Sequence, residues 1–206
     1  MRPKEVLDVA FPIQVKAELV ARINTACRMV RDQCERDYAV IPNRGGVYGR
    51  SALHFYVDRL LTEAATKELL PFHPIEKKVK TNGYWFMQYV SNRVKWQIKR
   101  VRKRGELPKG SSFRIINSIS NQVAWDFGPE YRIKSETDVP FAIVTYGHQN
   151  FYPTFIMVGM PEPDYSGWSE NLDVTDVKVA GLEEKIYEEN APRLKIAFLE
   201  SQSKTL

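Results

Sequence analysis

From residue 13 the apolar side chains recur at three- and four-residue steps: Val15, Leu19, Ile23, Ala26, Cys27, Val30 and Cys34, with charged residues between them. That period predicts an amphipathic helix over 13–38, begun by Pro12 and ended before Pro42. The glycine-rich stretch 43–50 reads as a connector. Ser51 is placed as the N-cap of a second helix reaching about Leu69, with Leu53, Val57, Leu60, Leu61 and Ala64 inward. Pro71 and Pro74 lie beyond its end.

At Tyr84 the period drops to two. Residues 84–90 and 93–99 read as strands joined by a Ser91-Asn92 turn, which pairs Val90 with Arg93. One face then carries Trp85, Met87, Tyr89, Val94, Trp96 and Ile98, an evident core face. The other carries Tyr84, Phe86, Gln88 and Val90 opposite Arg93, Lys95, Gln97 and Lys99, without an acid. A third helix is expected over 113–125, with Ile115, Ile116, Ile119, Val123 and Phe127 in phase and Gly128-Pro129 as its stop. Two continuous apolar runs, 141–146 and 155–158, read as strands covered on both faces. The tail 182–200 is partly helical, broken at Pro192.

These elements predict an α+β protein. Two N-terminal helices are followed by a hairpin, a helix and a second hairpin that together form an antiparallel sheet, and by a partly helical acidic tail. Residues 1–75 form a helical region and 76–206 the sheet region, expected to pack as one unit.

The 206 residues suit a single core, and 12% aromatic content argues against wholesale disorder. Two cysteines exclude a disulfide-stapled scaffold and a Cys-rich zinc module. No apolar run approaches the roughly 20 residues of a membrane span, and the first residues lack a signal-peptide layout. A soluble, cytoplasmic protein is expected, with self-association left open.

Charge sharpens this picture. The net charge is +5, yet residues 76–114 hold 12 basic and 2 acidic side chains, while 160–206 come to −5. Cations interleaved with aromatics suit single-stranded nucleic acid, where bases stack on rings and Lys and Arg meet phosphates. The expected contacts are Tyr84, Phe86, Arg93, Lys95, Lys99, Arg100, Arg102, Lys103 and Arg104. The bland alternative is that the acidic tail neutralises this segment, or that an acidic protein docks on it.

Weaker chemistry is also present. Arg44, Gly45, Gly46, Gly49, Arg50 and Ser51 precede the expected second helix, where free N–H groups could hold a phosphate. His54 and Asp58 stand four apart on that helix. Asp58 followed by Glu76-Lys77-Lys78 matches the letters of a metal-dependent nuclease, and His148 lies between the two apolar strands. None of these spells out a reaction, and neither a metal nor a cofactor is expected. Trp168 is read as a loop residue folded onto the core.

Overall fold

The computed structural model describes residues 2–37, 42–78, 83, 85–126 and 139–190, with backbone alone at 37, 42–48, 50, 51 and 123–126. Its first element, α1 (Pro3–Ala10), has no counterpart in the sequence reading. Proline occupies its first turn, and Glu5 accepts the Arg2 backbone N–H at 3.0 Å. Helix α2 (Ile13–Asp37) follows the predicted period.

Helix α3 runs from Pro42 to Thr66, so the glycine stretch is helix rather than connector. Glycine is a poor helix former, by about 1 kcal/mol per residue. One of them has a packing reason. A Cβ on Gly49 would stand 2.4 Å from the Phe151 ring and 2.8 Å from Cys34 Sγ. The helix ends on Glu68 in the left-handed region (φ 58°), with Leu69 N–H reaching back to the Ala64 carbonyl at 2.9 Å.

Six strands form one sheet in chain order: β1 (His73–Lys78), β2 (Trp85–Val90), β3 (Lys95–Arg100), β4 (Phe141–Gln149), β5 (Tyr152–Pro161) and β6 (Trp168–Asp173). The expected antiparallel sheet is in fact mixed, since β3 and β4 run parallel. Helix α4 (Ser112–Asp126) lies on the long crossover that such a pair requires. Both outer strands lack a period-two signature: β1 is polar with a proline in it, and Trp168, expected in a loop, is the first residue of β6.

The β2–β3 register is Tyr89 with Trp96 and Val90 with Lys95, so residues 91–94 make the connection. Ser91 closes it: its hydroxyl accepts the Arg93 and Val94 N–H groups, both at 3.2 Å. The predicted pairing was two residues out. A shift of two preserves every side chain's face, so the face assignments survive.

Helices α1–α3 and the sheet share one core. At its centre Trp96 stacks on Tyr89 (4.3 Å, 17°) and meets Phe72 and Phe11 edge-on. On the other face, α4 inverts its expected orientation. Ile115, Ile116 and Ile119 are 42%, 66% and 56% exposed, while Ser118, Ser120 and Asn121 are buried. Hydrogen bonds explain the inversion. Asn121 donates to the Phe141 and Pro161 carbonyls (3.1 and 2.8 Å) and accepts the Phe141 N–H (2.7 Å). Ser118 donates to the Pro163 carbonyl at 2.9 Å. Val123 and Phe127 lie outside the described side chains.

Strands β4 and β5 join through Asn150 and Phe151, both at positive φ (49° and 62°). A helical segment, α5 (182–190), lies against α2. No helix among the described residues is long and apolar enough to cross a membrane.

Candidate nucleic-acid interface

The outer face of β2 and β3 is not a surface. Phe86, Gln88, Lys95 and Gln97 are 7%, 2%, 7% and 1% exposed. Phe113, on the first turn of α4, covers Phe86 with ring centroids 4.5 Å apart. Phe86 therefore offers no ring face for a base to stack on, and Lys95 is a buried cation. Tyr84 lies outside the described residues. Arg93 is exposed at the connection preceding β3, at the opposite end of the strand from Arg100.

Arg100, Arg102, Lys103 and Arg104 remain exposed, on the segment leaving the C-terminal end of β3. That segment is braced at several points. Glu106 accepts the backbone N–H groups of Arg102 and Lys103, both at 2.9 Å, and these bonds hold its carboxyl below the usual range. Gly105 turns the chain at φ 75°, and its carbonyl accepts the Trp168 indole N–H at 2.8 Å. Val101 N–H bonds the Tyr146 carbonyl at 3.0 Å. Arg104 pairs with Asp173.

The side chains of Arg102, Lys103 and Lys109 are exposed, and among the described residues none forms a close ion pair, although the charges of Arg102 and Lys103 act on the nearby Glu106 carboxylate. Asp173 aside, two acids of the C-terminal third face α2 instead. Glu184 binds Arg28 on α2 through both oxygens (2.8 and 2.9 Å), and Glu183 accepts from Asn24 at 3.1 Å.

The proposed phosphate loop needs correction. Arg44, Gly45, Gly46, Gly49, Arg50 and Ser51 all lie within α3, which starts at Pro42, so no helix begins at Ser51. Gly46, Gly49, Arg50 and Ser51 are beyond the first turn, where N–H groups are bonded to carbonyls four residues back, while Arg44 and Gly45 fall in the first turn itself.

His148 Nδ1 accepts the Phe151 N–H at 3.2 Å, and the two rings stack at 5.2 Å. Its Nε2 is 3.3 Å from Arg100 Nη1. A neutral imidazole has one acceptor nitrogen, so it can accept from only one of these at a time. The residue braces the β4–β5 turn.

Glu76 and Lys78 do occupy a strand. Both are exposed on β1, opposite Met87 and Trp85, and the Lys78 ammonium lies 5.2 Å from the Trp85 ring centroid. Met87, Asp58 and Thr62 line an open cavity of about 540 Å³. Among the described residues no group of three His, Cys, Asp or Glu side chains is placed to hold a metal.

A second constellation lies where β2 and β3 part. The strands pair at only two positions, and beyond Tyr89–Trp96 they form a fork. By alternation Gln88, Gln97, Lys99 and Thr145 share the α4-side face, Lys99 being in register with Thr145. Gln88 Nε2, Gln97 Nε2 and Thr145 Oγ1 are buried without a hydrogen-bond partner among the described residues. Each such atom costs roughly 1–3 kcal/mol.

Lys99 sits between two layers. Burial and the Arg114 guanidinium on α4 lower its pKa, and Asp58 on α3 opposes them. Burial pushes the Asp58 carboxyl up to about 7 against the pull of Lys99, and burial likewise lowers His54. His54 Nε2 and Asp58 Oδ2 are 3.3 Å apart. Sequence reading named Asp58 and Lys99 separately; what joins them is the fork, which no local pattern signals. No family model, curated protein or solved structure matches the chain.

Proposed function

We propose that the protein binds nucleic acid through the cationic segment after β3, chiefly Arg100, Arg102, Lys103 and Lys109. One observation carries the reading: exposed cations that form no close ion pair among the described residues stand on a segment held by Glu106, Trp168 and the Arg104–Asp173 pair. A braced backbone loses little freedom when phosphates arrive, so more of the electrostatic attraction is kept as affinity. The position at the C-terminal ends of the parallel pair β3–β4 also suits a ligand site in a mixed sheet. Base stacking has no part in this version, because Phe86 is covered.

Fluorescence anisotropy with labelled single- and double-stranded oligonucleotides across a salt series tests it. Affinity should fall with salt, at a logarithmic slope of about −0.7 per phosphate contact for single strands. Arg102→Gln with Lys103→Gln should weaken binding and flatten the slope. Absence of binding at low salt would overturn the reading.

A second reading has its own observation. Ile115, Ile116 and Ile119 are exposed on α4 beside Lys109 and Arg114, which suits an acidic protein partner with an apolar patch. Co-purification of a protein without nucleic-acid absorbance would favour it.

A further inference from the structure

We infer that the β2–β3 fork is a phosphate-binding site, formed by the Gln88 and Gln97 side-chain amides with Lys99 and Arg114. The inference deepens the nucleic-acid reading and in part rests on it. Three features of the fork carry it.

Two of its donors have no acceptor among the described residues: the buried amide nitrogens of Gln88 and Gln97, which can only donate. Lys99 shares their face of the sheet, and its ammonium and the Arg114 guanidinium are close enough to repel one another, with Asp58 opposing. An oxyanion would offer acceptors to the two amides and negative charge to the two cations.

Its members are held by rigid elements. Gln97 and Lys99 are two apart on a central strand, and Gln88 is on the strand that diverges from it. Arg114 is fixed by its Nε bond to the Lys109 carbonyl at 3.1 Å.

Its location is continuous with the exposed cations. Arg100 follows Lys99 directly, and Lys99 and Arg114 are only partly buried, at the margin of the fork. A nucleic-acid strand lying along Arg100–Lys103 would bring a backbone phosphate to this margin. Free phosphate has the same chemistry, and the experiment separates the two sources.

The probes are inorganic phosphate, balanced against chloride at equal ionic strength, and a labelled oligothymidylate. The proteins are the full-length chain, Lys99→Met, Gln97→Leu, and the Arg102→Gln/Lys103→Gln double variant. Phosphate should raise the melting temperature of the wild type and the double variant, but not of Lys99→Met or Gln97→Leu. In the wild type it should also shift the side-chain amide resonances of Gln88 and Gln97, a readout that needs no variant to fold.

Oligothymidylate should bind Lys99→Met with a salt slope smaller by about one phosphate contact. If phosphate leaves both amide resonances unmoved, the fork site is refuted, even where oligothymidylate still binds through the segment after β3. If phosphate acts as described and oligothymidylate does not bind, the fork stands as a free-phosphate site and the nucleic-acid reading falls.

Discussion

Asp58 on α3 and Lys99 on β3 act on each other's charge from different layers of the fold: the ammonium pulls the carboxyl down, and the carboxylate holds the ammonium up. Burial outweighs this help and leaves Asp58 titrating at about 7. In the unfolded chain the group titrates at about 3.9. Between those values the folded state binds the proton more tightly, so stability declines as pH rises from about 4 to about 7 and then levels off. Asp58→Asn should remove that slope and raise stability at pH 8 by about 1–3 kcal/mol. Urea unfolding of both proteins at pH 5 and pH 8 checks it. An unchanged pH dependence in Asp58→Asn would count against a buried, uphill carboxylate.

Phe86 separates the present reading from one based on stacking. Its ring packs on Phe113, so Phe86→Ala should cost about 3–4 kcal/mol of stability. Oligonucleotide affinity, measured well below the melting temperature, should be unchanged. A large loss of affinity with little loss of stability would restore Phe86 as a contact.

Asn121 holds the two ends of the β4–β5 hairpin with three hydrogen bonds, two to carbonyls and one from an N–H. Asn121→Ala leaves these backbone groups buried and unpaired, and a loss of about 2–4 kcal/mol is expected. Hydrogen exchange should show faster opening at Phe141 than in the rest of β4.

Gly49→Ala exchanges a poor helix former for the best one, yet should destabilise the protein by about 1–3 kcal/mol. The new methyl would press on the Phe151 ring and Cys34 Sγ. Thermal unfolding decides the sign, and a gain in stability would mean that Phe151 yields readily.

Much of the secondary structure could be read from periodicity. Helix α2 and strands β2 to β5 came from clear three-to-four or two-residue patterns, or from unbroken apolar runs. The missed strands were edge strands. β1 carries Pro74, Glu76, Lys77 and Lys78, which protect an edge and also erase its hydrophobic signature. Helix α3 was cut short because glycine reads as a breaker unless its neighbour in space is known, and here that neighbour is Phe151.

The candidate site was legible as a segment and illegible as a surface. Counting charge located the cations of 100–104, but it could not show that Phe113 of α4 would cover Phe86 or that Lys95 and Gln97 would be buried. The isoleucines of α4 misled for a related reason. Burial was assigned by hydropathy, whereas Ser118 and Asn121 are inside because their bonding partners are.

The β4–β5 turn bears on the order of assembly. A phenylalanine in the left-handed region opposes closure of its own turn, at a local cost of about 1 kcal/mol or more. What holds it there is not local alone: besides His148, the ring rests on Gly49 of α3. This hairpin, although contiguous in sequence and rich in apolar residues, is therefore a poor self-starting nucleus. Its turn should lock only once α3 is in place, which couples closure of the hairpin to docking of the N-terminal helices.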